Sequence, residues 1–218
     1  MKPCILFDWD GTLAHNFSVI KNALNRVFSH FGLPEWQDDD AEKNIRLTAK
    51  DLFATLFDDA DDRQKALEIY LGYVEKNHLI DFVSIDGAAV FLKNLQATDR
   101  FVMGVVSNKT QRFLDAEIEY LGWQDYFMVQ IGAGTAAKDK PHPDSINMAL
   151  SQIGGQAKNS FYIGDTHTDM IAAKNAGIEP LFVTYGLGRV KDLSSQVFTH
   201  GLPKCFDNYD DLFDYLTK

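Results

Sequence analysis

Residues 5–13 read Ile5-Leu6-Phe7-Asp8-Trp9-Asp10-Gly11-Thr12-Leu13, an apolar run that ends in two carboxylates, a glycine and a threonine. A short apolar run bounded by turn residues predicts a strand buried on both faces, as in a parallel sheet. Side chains alternate along such a strand, so Asp8 and Asp10 are expected to share one site at its end while Trp9 points elsewhere. Gly11 lets the backbone turn sharply there. Two carboxylates held this close repel each other, unless a cation lies between them or one keeps its proton for transfer. Both remedies point to catalysis, whereas the plain alternative is an Asp-Gly turn after a strand.

From Asp86 onward helix and strand alternate, which predicts a parallel sheet covered by helices on both faces. A helix over 87–97 precedes a strand over 101–106 that ends in Ser107-Asn108, and a helix through Phe113, Leu114 and Leu121 closes at Gly122. A strand over 127–131 leads to the loop Lys140-Pro141-His142-Pro143 and a helix through Ile146 and Leu150. A strand over 161–163 ends in Gly164-Asp165-Thr166-His167-Thr168-Asp169, and the next helix stops near Gly177. Strands over 181–183 and 205–206 follow, with a last helix around Leu212 and Leu216.

Between these parts the period is helical. Phe17, Ile20, Leu24, Val27, Phe28 and Phe31 form one stripe, stopped by Gly32 and Pro34. Asp38, Asp39 and Asp40 form an acidic run expected to be solvated. Thr48-x-x-Asp51 offers a capping box for a helix carrying Leu52, Phe53, Leu56 and Phe57, and a third helix over 61–77 is expected to bury Leu67, Tyr70, Leu71 and Val74. Three helices without a strand predict an inserted helical unit over 16–84. The fold class is therefore α/β, a doubly wound parallel sheet over 1–15 and 85–218 with an α-helical insertion.

The 218 residues suffice for a substantial core. Lys and Arg number 21 against 31 Asp and Glu, a net charge of -10 that argues against nucleic acid or an anionic membrane as partner. An anionic substrate then needs a local positive site. Cys4 and Cys205 lack metal-ligand spacing and make no disulfide framework, so buried thiols in a reducing compartment are expected. Met1 stands three residues before the first strand, leaving no room for a signal peptide, and no apolar run reaches membrane-span length; a cytoplasmic protein is expected. The oligomeric state is left open.

In open α/β sheets the ligand site lies beyond the carboxyl ends of the strands. Asp8 and Asp10, Ser107 and Asn108, Lys140, and Asp165 with Asp169 are all expected at such ends. Four converging carboxylates predict a hard divalent cation, and Mg²⁺ takes one or two carboxylates together with waters and phosphate oxygens. Lys140, the Ser107 hydroxyl and backbone N–H groups of the turn after Asp8 are suited to hold a phosphoryl group.

The set Asp8-x-Asp10-Gly11-Thr12-Leu13, Ser107-Asn108, Lys140-Pro-x-Pro and Gly164-Asp165-x-x-x-Asp169, in this order, resembles the haloacid dehalogenase superfamily, in its phosphoglycolate-phosphatase-like branch with a helical cap after the first motif. The resemblance covers nearly the whole chain. It implies a Rossmann-like core and a Mg²⁺-dependent phosphatase acting on a small phosphorylated metabolite. Asp8 would be the nucleophile that forms an aspartyl phosphate, and Asp10 the acid and base whose backbone carbonyl also helps bind Mg²⁺. Asp165 would be a direct metal ligand alongside Asp8, with Asp169 supporting the metal or Lys140. Ser107 and Lys140 would bind the transferring phosphoryl, and Asn108 would act through its backbone N–H or position Asp8.

The inserted unit is expected to hinge over the site, and Arg46, where many relatives carry glycine, is the candidate for contact with the non-phosphate part of the substrate. His15, His142 and His167 are read as surface or supporting residues, because histidine suits zinc better than Mg²⁺. Phe53 and Phe57 are read as helix core, and Lys43 and Lys50 as solvated. A phosphomutase of the same branch is the nearest rival. A dehalogenase has no need of the acid at Asp10, and a non-catalytic interaction protein has no need of the acidic set.

Overall fold

The computed structural model describes residues 2–38, 40, 45, 47–80, 82–193, 198 and 201–218. The first apolar run is β1 (Cys4–Phe7), and all four of its residues are buried. It lies at the centre of a six-stranded parallel sheet of order β5-β4-β1-β6-β7-β8, formed with β4 (Val102–Thr110), β5 (Val129–Ala133), β6 (Phe161–Gly164), β7 (Glu179–Val183) and β8 (Lys204–Phe206). Phe7 pairs with Val105 on one side and Ile163 on the other, so β1 and β6 end nearly level while β4 runs on past them. That register places residues 8–10 between the continuing β4 and the end of β6.

Both faces of β1 are apolar because both are covered. Cys4 and Leu6 join Val106, Ile131, Ile146, Tyr162, Met170 and Phe182 in one core layer, shared with helices α6 (Asp144–Ile153) and α7 (His167–Ala176). Phe7 on the opposite face meets Phe91 and Phe127 edge-on, with centroids 6.1 and 6.3 Å away. Phe91 belongs to α4 (Ala88–Ala97) and stacks on Tyr209 at the start of α8 (Tyr209–Thr217). The remaining helix of this layer system, α5 (Gln111–Tyr120), follows β4 directly.

The chain divides into two compact units, one of residues Met1–His15 with Val83–Lys218 and one of Asn16–Phe82. Short antiparallel strands β2 (Ala14–His15) and β3 (Val83–Ser84) pair where the chain leaves and rejoins the first unit. In the second unit α1 (Phe17–His30), α2 (Ala49–Leu56) and α3 (Ala60–Asn77) enclose a core of Leu24, Val27, Phe28, Phe53 and Ala66. Thr48 caps α2 by accepting the Asp51 N–H at 3.1 Å, and Asp59 caps α3 by accepting the N–H groups of Asp61 and Asp62. The Asn25 amide holds both the N–H and the carbonyl of Trp36, which stacks edge-on with Phe28.

Four expectations need correction. β4 extends to Thr110 instead of ending at Val106, so Ser107 and Asn108 sit within it. Val106 pairs with Ile131 but Thr110 with Ala133, so four steps on one strand match two on the other, and residues 107–109 bulge out of the ladder. β5 begins two residues late, because Phe127 closes a 3₁₀ turn over Gln124–Tyr126. On α3 only Ala66 and Val74 are buried, while Leu67, Tyr70 and Leu71 are half-buried. Cys4 is buried as expected but Cys205, on the edge strand β8, is exposed. Among the described residues no helix is long and apolar enough to cross a membrane.

Candidate active site

The turn after β1 is built on one carbonyl. Trp9 O accepts the N–H groups of Thr12, Leu13 and Ala14 at 3.2, 2.9 and 3.0 Å, while the Asp8 N–H extends the ladder to Ile163 O. Gly11 makes the turn possible with φ of 85°, in the left-handed region. Space requires glycine as well, since a Cβ on residue 11 would lie 2.4 Å from Asp165 Oδ2. Gly11→Ala is therefore expected to displace Asp165 or the turn, lowering divalent-metal affinity and activity by about tenfold or more, as loss of a ligand's support does. Titration calorimetry with unchanged affinity would refute this.

Lys140, buried to 3% exposure, reaches across from the loop before α6. Its ammonium lies 2.7 Å from Asp8 Oδ1 and 2.6 Å from Asp169 Oδ1, and donates to the Tyr162 hydroxyl at 2.8 Å. Tyr162 in turn donates to Val106 O at 2.6 Å. Asp169 stands in the first turn of α7, where it forms a capping box with Thr166. Its Oδ2 accepts the Thr166 N–H at 2.9 Å and hydroxyl at 2.6 Å. Asp169 is thus held at both oxygens.

Asp165 is fully buried at the end of β6, where Oδ2 accepts the Leu187 N–H at 2.6 Å and Oδ1 lies 3.4 Å from Thr12 Oγ1. The loop carrying Leu187 closes tightly on it, since a Cβ on Gly186 would fall 2.2 Å from Asp165 Oδ2. Asn108 spends its side chain on the Lys140 peptide, donating from Nδ2 to Lys140 O at 2.9 Å and accepting the Lys140 N–H at 3.1 Å. Its amide thereby fastens the Lys140 loop to the β4 bulge. Ser107 is buried beside it and accepts the Lys109 N–H at 3.2 Å.

Asp8, Asp165 and Asp169 each offer a carboxylate oxygen within 4.8 Å of the others. Burial first, then the Asp169 carboxylate, pushes Asp8 up to about 7 against the pull of Lys140. Burial, Asp169 and Asp8 push Asp165 well above the usual carboxylate range. For Lys140, burial opposes the charge, but Asp169 and Asp8 outweigh it and raise the ammonium well above its ordinary value. One ammonium against three clustered carboxylates leaves negative charge in excess. Oxygen-only donors at this spacing fit a hard divalent cation.

The expected fourth carboxylate is elsewhere engaged. Asp10 Oδ2 pairs with Lys109 at 3.1 Å, and Lys109 pairs with the buried Glu117 at the same distance. Burial pushes Asp10 up to about 6, with Lys109 opposing and Glu117 adding to the rise. Lys109, Glu117, Tyr162 and the Leu187 N–H are site components that lie outside the sequence motifs. Glu117 did leave a signal, being a charge on the apolar stripe of Phe113, Leu114, Ile118 and Leu121. His15 and His142 are exposed and His167 is half-buried, none of them within the acidic group. Phe53 is core of the helical unit, with Phe57 packed against it, and Lys50 is exposed. Arg46, Lys43 and Asp39 lie outside the described residues.

The model of haloacid dehalogenase-like hydrolases matches residues 5–183. The chain is 30% identical to a phosphoglycolate phosphatase of Rhodospirillum rubrum over 99% of its own length and 91% of the relative's. It is 29% identical to one of Colwellia psychrerythraea, over 100% and 98%. Among solved structures, a predicted phosphatase from Clostridium acetobutylicum superposes with a TM-score of 0.87 at 21% identity, covering 100% of this chain and 99% of the other. A predicted phosphoglycolate phosphatase from Haemophilus somnus gives 0.85 at 21%, covering 100% and 98%. At these identities the structures attest the fold alone.

Proposed function

The chain belongs to the haloacid dehalogenase-like hydrolase family, and from that premise we propose that it is a Mg²⁺-dependent phosphatase hydrolysing a small phosphorylated metabolite through an aspartyl phosphate on Asp8. The observation that carries this reading is the buried junction of Asp8, Lys140, Asp165 and Asp169 at the end of the central strand. A carboxylate held against an ammonium, beside two others able to take a cation, suits in-line attack on a phosphoryl group. The chain is a phosphoric monoester hydrolase, and phosphoglycolate or a sugar phosphate of similar size is the substrate class, in keeping with the relatives that it spans nearly in full.

In this mechanism a carboxylate oxygen of Asp8 attacks phosphorus. The bond from phosphorus to the leaving oxygen breaks as Asp10 gives that oxygen a proton. Water then attacks phosphorus, Asp10 recovers a proton from it, the bond to Asp8 breaks and inorganic phosphate departs. Lys140 and the Ser107 hydroxyl hold the phosphoryl oxygens, with Asn108 keeping Lys140 in register through its peptide. Asp8, Asp165 and the Asp10 carbonyl would hold Mg²⁺, and Asp169, already bound at both oxygens, would act mainly by fixing Lys140. The ion supplies positive charge that offsets both the carboxylates and the phosphoryl oxygens.

Asp10→Asn tests the division of labour. With an aryl phosphate, whose leaving group needs no proton, the variant is expected to phosphorylate Asp8 and then stall. Mass spectrometry of the quenched protein should show phosphate retained on Asp8, while turnover falls by about a hundredfold or more. A panel of phosphorylated metabolites should release phosphate with the wild-type protein and Mg²⁺. An unphosphorylated variant at every time point, or no release from any monoester, would overturn the reading.

A further inference from the structure

Three buried side chains that the mechanism leaves unused converge on Asp10. Glu117 projects from α5 with no solvent exposure. Its Oε2 accepts the Trp9 indole N–H at 2.7 Å, and its Oε1 lies 3.1 Å from the Lys109 ammonium. Lys109 stands in the β4 bulge, its side chain 5% exposed, and spans to Asp10 Oδ2 at 3.1 Å. Trp9, itself wholly buried, is locked edge-on against Trp123 with centroids 5.9 Å apart. Asp10 Oδ1, by contrast, is buried and takes no hydrogen bond from the described residues.

A fully buried Glu is costly unless it is paired, so its retention on an apolar helix stripe calls for a reason. A surface-style ion pair would not need an indole to fix one oxygen and a buried lysine to take the other. The chain Trp9–Glu117–Lys109 ends on one oxygen of Asp10 and leaves the other unpartnered. A carboxylate free to rotate about χ2 would present either oxygen at varying angles, whereas one pinned at Oδ2 presents Oδ1 alone. Proton transfer demands placement within hydrogen-bond reach of the reacting oxygen, and small misplacements are expensive.

We propose that Glu117, anchored by Trp9, is a positioning residue that acts through Lys109 to pin Oδ2 of Asp10, so that Oδ1 is the oxygen that gives and recovers the proton. This inference rests on the phosphatase reading and refines it. The proton leaves Oδ1 for the departing alcohol oxygen as the phosphorus–oxygen bond breaks, and returns to Oδ1 from the attacking water. Lys109 and Glu117 keep their charges throughout.

The test uses the full-length protein with Mg²⁺, an alkyl monoester (2-phosphoglycolate or glycerol 3-phosphate) and para-nitrophenyl phosphate. Glu117→Gln and Lys109→Met are expected to lower kcat for the alkyl ester by about tenfold to a hundredfold with KM little changed. Phosphorylation of Asp8 by the aryl ester, read as phosphoenzyme in a single turnover, should change less than about threefold, since it needs no proton donor. Because Glu117 acts through Lys109, adding Glu117→Gln to Lys109→Met should lower kcat no further. The double variant also removes the Lys109–Glu117 ion pair as a unit, which keeps the test available if a single change unfolds the protein. Trp9→Phe removes the indole bond to Glu117 along with part of the ring packed on Trp123, and should show the same split more weakly. Equal losses on both esters, or additive losses in the double variant, would reduce the network to scaffolding and overturn the inference. Wild-type protein that forms no phosphoenzyme would overturn the phosphatase reading and this one with it. Active wild type, with an Asp10→Asn split that Glu117→Gln fails to share, would overturn this one alone.

Discussion

Asp8→Asn is expected to lower turnover by about a thousandfold or more while leaving the fold intact, because the amide keeps the shape of the side chain but not the nucleophilic oxygen. The fold survives for a physical reason. Asp8 is a buried carboxylate raised by desolvation and by Asp169, so neutralising it relieves repulsion as well as weakening one pair with Lys140. Lys140 keeps its second carboxylate, Asp169, at 2.6 Å and its bond to Tyr162. The variant should melt within a few degrees of wild type, and its quenched protein should carry no phosphate at residue 8 with any substrate. Circular dichroism and intact-mass measurement check both points. Folded variant protein with more than about a hundredth of wild-type turnover would exclude covalent catalysis at this position.

The contrast between Asp8 and Asp10 was only half legible in the sequence. Alternation along a strand placed both just past β1, and the grouping of Ser107, Lys140 and Asp165 on the same sheet edge followed from open-sheet logic, because apolar runs with abrupt polar ends carry a strong signal. What was not legible depends on pairing between distant segments. The bulge that sets Ser107, Asn108 and Lys109 exists only relative to β5, whose register no local pattern encodes. Their shared sheet edge led to the expectation that all four carboxylates converge, yet Asp10 turns to Lys109, a residue next to the Ser107-Asn108 motif that the motif did not include. Tyr162 looked like one more apolar strand residue, and its hydroxyl gains meaning only where Lys140 folds over it. The Leu187 N–H is a backbone group with no side-chain signature at all. Two-residue strands such as β2 and β3 are too short to show a period. Glu117 is the instructive exception, since a charge within an apolar helical stripe is visible in sequence and announces a buried partner.

Removing Mg²⁺ is expected to abolish phosphate release and to destabilise the protein in a pH-dependent way. Asp8 and Asp165 have folded-state pKa values raised above those of an unfolded chain, Asp8 to about 7. A raised acid holds its proton in the folded state where the unfolded chain has already released it. Its contribution to stability is complete below the unfolded value near 4, and is lost as pH rises through the folded value near 7. The metal-free protein should therefore lose stability from Asp8 between about pH 4 and 7, and from Asp165 from about pH 4 upward, as repulsion develops among Asp8, Asp165 and Asp169. A cation binds the ionised carboxylates, so it competes with protons at low pH and finds its full site near neutrality. At a hundredfold excess over Kd it should add about 2.7 kcal/mol, or about 5–10 °C for a chain of this size. Melting curves with Mg²⁺ and with excess chelator should thus nearly coincide at pH 5 and separate by that amount at pH 7.5. Taking the difference cancels carboxylates outside the site, which titrate equally in both samples. Ca²⁺ should stabilise but support little turnover, because it prefers more ligands at longer distances. A gap that stays constant across this range, or full activity in excess chelator, would remove the metal from this acidic site.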